Sequence, residues 1–555
     1  MSSESTRVTR RSLLAATSAT TFAVALTQSG VLAQDATPAA TPEAQEESQL
    51  VIDQTAAQPT ELGPAVPPEF DVESNWPTEH ANLSGTRAAA GSTIDGTTVT
   101  GLTEAWRVPI QANAAYGSMT ASPIIIGETV YIQDMASNIW SINAATGEVN
   151  WTKEYNVSLL GPNGLAVAYG RVYGALGNSA EVVSVDAETG EEYFRVTLSN
   201  NAYEGIDIAP LVYGNTVIVS TVPGNAGSFY QGGSKGIVYG LDADTGKTLW
   251  QWDTTTDNLW GNFRVNSGGG LWHPPVVDEN GQVYLAVANP APWPGNAEFP
   301  NGTSRPGDND YSNSLVSLNV DEGKVDWYIN VRPHDLVDLD LHLSPMLATV
   351  DIDGTATDIV IASGKLGVVV AANRETGEEL WRTPVGKHLN DDLEEYPADD
   401  FVEVFPGTTG GVETPMAYAD GLIFTPIINM STWFSATEYD GSRSSLVEAN
   451  GQLTAVDAAT GEIAWDVTFP SPQLAGAAVA NDIVFTGGLD GVVHGLDTKT
   501  GEEVFTYQAP AGLNAPLAIA GDTLYIPAGG PLIATEDTED PQPELAQVLI
   551  ALRIG

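Results

Sequence analysis

DAATGEIAW, residues 457–465, reads as a turn between two strands: an aspartate, a Thr-Gly pair, then an aromatic residue opening a new β-type run. The same tag recurs as NAATGEVNW at 143, DAETGEEYF at 186, DADTGKTLW at 242, NVDEGKVDW at 319, NRETGEELW at 373 and DTKTGEEVF at 497. Asp, Asn and Thr oxygens cap such a turn, and Gly supplies its positive φ. The aromatic residue (Trp151, Phe194, Trp250, Trp327, Trp381, Trp465 or Phe505) then starts the outgoing strand, placed to pack between neighbouring sheets. The tags are separated by 43, 56, 77, 54, 84 and 40 residues. The short spacings match a four-stranded propeller blade of about 40–45 residues, and the long ones are blades carrying loops.

Seven tags predict seven blades. LNAPLAIAGDTLYIPAGG and LAQVLIALRI, after the last tag, supply further strands, and LTEAWRV at 102–108 is an outgoing strand without an incoming partner. Pairing it with the C-terminal strands completes an eighth blade and removes the free sheet edges. The expected fold is therefore all-β: an eight-bladed β-propeller of four-stranded antiparallel blades over residues 76–555, closed by its N-terminal strand.

The 555-residue chain carries 21 Lys+Arg against 71 Asp+Glu, a formal net charge of −50. Such a surface repels phosphate backbones and anionic headgroups, so nucleic acid is not an expected partner. The absence of cysteine removes disulfides, thiol nucleophiles, iron–sulfur ligation and c-type haem attachment. Residues 1–33 read as an export signal: TRRSLL at 9–14 is of twin-arginine type, and Leu13–Leu26 is too short and polar for a membrane span. Residues 34–75, rich in Pro, Ala and Glu, read as a disordered linker, and the mature chain as periplasmic or secreted.

RPHDLVDLDLHLSP, residues 332–345, has Val337, Leu339, Leu341 and Leu343 on one parity and Asp338, Asp340 and His342 on the other. As an extended strand it would bury four aliphatic side chains and line the opposite face with carboxylates and an imidazole. Its place at the entry to an innermost strand directs that polar face toward the central channel. Long insertions such as NSGGGLWHPPVV and ANPAPWPG, between the tags at 242 and 319, mark the working face.

With NWPTEHANLSGTR (75–87), GGGLW (268–272), ANPAPW (288–293), RPGDNDYSNS (305–314), RPHDLVDLD (332–340), GKLG (364–367) and FPGTTGG (405–411), the chain resembles the quinoprotein alcohol dehydrogenases. That eight-bladed family uses pyrroloquinoline quinone (PQQ). The resemblance implies Asp338 as the catalytic base, and Trp272, Lys365 and Asn429 as cofactor-binding residues. It implies Asn289, Asp338, Asp340 and, in place of the family's glutamate, Gln231 as ligands of a Ca2+ or lanthanide ion. Asp340 matches the additional carboxylate of lanthanide-using members. A small alcohol or aldehyde is the implied substrate and a soluble cytochrome the implied electron acceptor. The family pattern fails at Asn163, Thr120 and Val337, where arginine, glutamate and tryptophan are expected, and the vicinal cysteines are missing. Those departures define the alternative, a cofactor-less propeller serving as an extracytoplasmic binding or scaffold protein. A hydrolytic or metal site on His334, Asp338 and His342 is a third arrangement the sequence permits.

Overall fold

A computed structural model describes residues 62–112, 114, 116–223, 231–533 and 547–555; the export signal and residues 34–61 of the linker lie outside them. Among the described residues the protein is all-β and propeller-like, with one short α-helix, Asp257–Trp260, and scattered 3-10 turns. Eight four-stranded antiparallel sheets follow one another along the chain. The first seven span residues 124–153, 165–197, 211–253, 276–330, 346–384, 417–469 and 478–508. The eighth joins Ala518–Ala520, Thr523–Ala528 and Val548–Ile554 to the N-terminal strand Leu102–Pro109, paired from Leu102↔Ile554 to Pro109↔Val548.

Each tag is the hairpin between the third and fourth strands of its sheet. Asn143 Oδ1 accepts from the Ala145 and Thr146 backbone N–H groups, both at 3.0 Å, and from Thr146 Oγ1 at 3.1 Å. Asp186, Asp457 and Asp497 hold their turns in the same way. The aromatic residue of one tag lies over the glycine of the next. A methyl group on Gly190 would fall 2.9 Å from Trp151, one on Gly377 2.7 Å from Trp327, and one on Gly501 2.8 Å from Trp465. The indole N–H completes the joint: Trp250 donates to Val320 O at 2.7 Å, Trp381 to Ala458 O at 3.1 Å and Trp465 to Thr498 O at 2.9 Å. Trp106, on the N-terminal strand of the eighth sheet, repeats this contact on the first tag, donating to Ala144 O at 2.9 Å.

Residues 76–93 run across the sheets and bond to one after another. Trp76 bridges Ile125 of the first sheet, and the carbonyls of Leu83, Ser84, Thr86 and Arg87 accept from Val277, Leu347, Tyr418 and Val479 of the fourth to seventh. Arg87 is fully buried, its guanidinium donating to the carbonyls of Glu79, Ala477 and Leu517. The linker expected over 34–75 is corrected at its C-terminal end. Leu62 and Val66 pack against the core of the second and third sheets, and Ala65 O accepts from Gly214 N at 2.6 Å. A few apolar side chains and hydrogen bonds, among them Tyr169 OH to Pro64 O at 2.6 Å, dock a stretch whose average composition is that of a tether.

Residues 332–345 are also corrected: they form no strand. The alternation survives as two buried sets, Val337, Leu339, Leu341 and Leu343 in the core and Asp338, Asp340 and His342 beside it. What replaces the strand ladder is side-chain capping. Asp335 accepts from Val337 N at 3.1 Å and Leu339 N at 2.8 Å, and Asn313 Oδ1 accepts from Leu341 N at 3.2 Å. Asp338 itself takes φ +64°, a left-handed conformation that no regular strand contains.

Candidate active site

Three loops converge on Asp338 because buried polar groups and glycines lock them together. Arg305, fully buried, donates to Pro292 O at 3.0 Å and Asp335 O at 2.5 Å, tying the ANPAPW loop to the segment that carries Asp338. Gly364 lets the loop between Thr355–Ala362 and Val368–Asn373 lie directly on the Asp340 backbone, since a methyl there would sit 2.1 Å from Asp340 O. Gly268 does the same for the approach of GGGLW to Asn289, whose carbonyl would be 2.8 Å from an added methyl.

The result is a compact charge cluster. Asn289 donates its side-chain Nδ2 to Asp338 Oδ1 at 2.7 Å and its backbone N–H to Asp340 Oδ1 at 2.6 Å. Lys365 Nζ lies 3.2 Å from Asp338 Oδ2 and 2.8 Å from Asp340 Oδ2. Asp338 and Asp340 are 4% and 1% exposed. Burial drives the Asp338 carboxyl well above the ordinary carboxylate range; Lys365 opposes that shift, and Asp340 and Asp335 add to it.

Around this cluster stand His342, which the sequence placed on the polar parity of 332–345, and residues it did not single out. Glu413, pushed up to about 7 by burial, faces His342, with Oε2 3.8 Å from Nε2. The His342 and His273 rings lie 5.5 Å apart, and His273 Nδ1 meets Glu79 Oε1 at 3.0 Å. Asp207 is pushed up to about 6 by burial although Leu160 and Gly161 N–H groups donate to its Oδ1 at 2.9 and 3.2 Å. Burial also raises the Tyr116 hydroxyl, and the charges of Lys365, Glu413, Asp338 and Asp207 all act on it, placing that phenol among them. These residues come from distant parts of the chain and share no motif. Glu79, His273 and His342 fall inside NWPTEHANLSGTR, NSGGGLWHPPVV and RPHDLVDLDLHLSP, and Glu413 lies two residues beyond FPGTTGG, but nothing local marks them as neighbours.

Trp272 is half-buried, with its six-membered ring against Gly161, where a methyl would come within 2.9 Å. Gln231 is not brought in: it is exposed, and among the described residues no hydrogen bond joins its side chain to Asn289, Asp338 or Asp340. It lies on a Gly232-Gly233 turn packed against Arg264 and Phe263, at the edge of the third sheet's long insertion. Asn429 is held elsewhere, donating to Asn450 Oδ1 at 2.8 Å and Gln452 Oε1 at 2.7 Å and accepting from Lys387 N at 2.9 Å. His334 meets Gly307 O at 2.9 Å, so the His334–Asp338–His342 arrangement does not assemble as a triad. Thr120 and Asn163 satisfy each other, Thr120 Oγ1 donating to Asn163 Oδ1 at 2.6 Å.

The donor types suit a hard cation, which favours oxygen ligands: two carboxylates and a carboxamide whose other arm is a carbonyl. Among the described residues no three His, Asp or Glu groups form a ready cage. A flat quinone would find a flat partner in Trp272 and a cation in Lys365. Its acidic groups are compatible with the buried, unpartnered Asp207 Oδ2 and Glu413 Oε1 when those carboxyls are protonated, which their raised pKa values favour.

The model of the β-propeller domain of PQQ glucose/ethanol/alcohol dehydrogenases matches residues 76–387. The chain belongs to this family. A second family model, of the outer membrane protein assembly factor BamB, matches residues 441–541. The chain is 24% identical to the quinohemoprotein alcohol dehydrogenase of Comamonas testosteroni over 528 residues, 82% of this chain and 71% of that one. It is 23% identical to the lanthanide-dependent methanol dehydrogenase of Methylacidiphilum fumariolicum over 510 residues, 79% of this chain and 81% of the relative. A solved europium-containing methanol dehydrogenase superposes with a TM-score of 0.73 at 19% identity, covering 87% of this chain and 99% of that one. In this chain the charged cluster lies between the fourth and fifth sheets.

Proposed function

We propose that this chain is a quinoprotein alcohol dehydrogenase working outside the cytoplasm, its eight sheets forming one ring closed by the strand Leu102–Pro109. The reading is carried by the Asn289–Asp338–Asp340–Lys365 cluster in a member of the PQQ dehydrogenase family. PQQ, when bound, would supply the hydride acceptor, and a metal ion would supply Lewis acidity. Asp338 is the base: its carboxylate takes the hydroxyl proton of a small alcohol as the carbon-bound hydrogen leaves with its electron pair, and the aldehyde departs. Asn289 holds Asp338 in position through its amide, and Asp335 does so through the adjoining backbone. Trp272 and Lys365 would hold the quinone, and Asn289, Asp338 and Asp340 the metal. Electrons pass on to a separate acceptor, and a basic soluble cytochrome suits a chain of net charge −50. Residues 1–33 fit an export signal, and among the described residues no helix is long and apolar enough to cross a membrane.

The alternative is a propeller without cofactor that binds another partner. It is favoured by the exposed Gln231 and by the self-contained Thr120–Asn163 pair. Reconstitution of the mature chain with PQQ, in parallel with calcium and lanthanum, separates the two. Quinone binding and dye reduction by primary alcohols, lost in Asp338→Asn, are expected. No bound quinone under either metal would establish the alternative.

A further inference from the structure

All four carboxylate oxygens of Asp338 and Asp340 have partners within the chain. One oxygen of each accepts from Asn289, and the other of each faces Lys365 Nζ, at 3.2 and 2.8 Å. The ammonium therefore stands where a cation shared by both carboxylates would stand. It is also the accessible member: the Lys365 side chain is 18% exposed, against 6% and 2% for Asp338 and Asp340. Two buried carboxylates without a counter-charge would be strongly unfavourable, so the lysine stabilises the pair. Its four-carbon stem also lets the charge swing toward solvent.

We propose that Lys365 is a built-in counter-ion occupying the metal position, so that metal binding is an exchange of cations. This rests on the dehydrogenase reading only in supposing that a metal belongs here. The cost of moving the ammonium is the same for every metal. What the incoming ion returns rises with its charge, because the attraction to each carboxylate scales with that charge. Gln231, exposed and neutral, adds no third anion. The exchange is thus a threshold that a trivalent lanthanide ion crosses and calcium does not.

The test is terbium binding to the purified chain without quinone, read as luminescence sensitised by nearby tryptophan, with calcium binding followed by calorimetry. Lys365→Met is expected to bind terbium at least tenfold more tightly than the parent, and to bind calcium at millimolar concentrations where the parent does not. A second readout needs no variant: limited acylation of the parent, followed by peptide mass spectrometry. Lys365 should be protected in the metal-free protein and become modified once terbium is added. Equal terbium affinity in Lys365→Met, or unchanged labelling of Lys365, would overturn the proposal. So would the absence of terbium binding in both proteins, and if quinone still bound, the dehydrogenase reading would survive that result. Conversely, the terbium and labelling shifts without any quinone binding would sustain the exchange and sink the dehydrogenase.

Discussion

At the inner ends of the first and second sheets, Thr120 donates to Asn163 at 2.6 Å, and Asn163 donates to Gln133 Oε1 at 3.2 Å and Asp134 O at 3.3 Å. The side chains that make these bonds are uncharged, and the one carboxylate beside them, buried Asp134, is held by Asn138 and Trp140. At the fourth and fifth sheets the corresponding space holds Asp338, Asp340 and Lys365, charged groups that burial makes costly and that only a close counter-charge stabilises. The same repeat thus ends in one place as a closed neutral network and in another as a loaded electrostatic one. Self-satisfied polar groups leave nothing for a ligand to complete, whereas paired buried charges can exchange one partner for another.

Substitutions on the two sides should separate sharply. The largest effect is expected from Asp338→Asn, which keeps the shape and removes the base: turnover in the reconstituted enzyme should fall by roughly 10³, with the fold intact by circular dichroism. Next comes Asp335→Ala, which strips the caps from Val337 N and Leu339 N and the partner from Arg332 at 2.8 Å. Denaturant unfolding should show a loss of about 3 kcal/mol, together with lost terbium binding. A stability loss without the metal defect would mean that Asp338 is positioned some other way.

The pH dependence of stability sharpens the comparison. Asp207 titrates near 6 because burial disfavours its charge. Below the ordinary carboxylate range it is protonated folded or unfolded and contributes no penalty. As pH rises toward 6 the unfolded chain ionises more readily, and stability is lost. Asp207→Asn should therefore be more stable than the parent above pH 7, by at most about 3 kcal/mol, and equal to it near pH 3. Glu413→Gln should behave alike, with its gain complete only above about 7. Thermal melts across pH decide this; a gain independent of pH would rule out burial of charge as the cause. The smallest effect is expected from Thr120→Val, about 1 kcal/mol, with terbium binding unchanged. A metal defect there would join the two regions that the hydrogen bonds keep apart.

Much of this site was legible one residue at a time. Asn289, Asp338, Asp340 and Lys365 sit in short motifs, and the glycines of GGGLW and GKLG explain why those motifs must meet, since their missing side chains let backbone lie on backbone. Gln231 makes no hydrogen bond to the cluster among the described residues and Asn429 bonds to Asn450 and Gln452, because a motif position says nothing of rotamer or of competing partners. The contacts of Glu413, His273, Glu79 and Asp207, and the partners that His342 takes up, were illegible for a different reason. Their contacts join separate sheets, and no spacing along the chain encodes them.

By itself, then, the sequence determined the repeat. Asp or Asn, Thr-Gly and the aromatic residue act through local hydrogen bonds, positive φ and a neighbour one tag away, so their message is short-range and periodic. Only the tertiary structure decided which inner ends are neutral and which are charged. It also decided that Asp338 leaves the strand geometry its alternation suggested, and that an ammonium sits between two carboxylates. Those outcomes depend on distances between loops tens of residues apart and on the loss of water around them, which set the strength of every charge in the cluster.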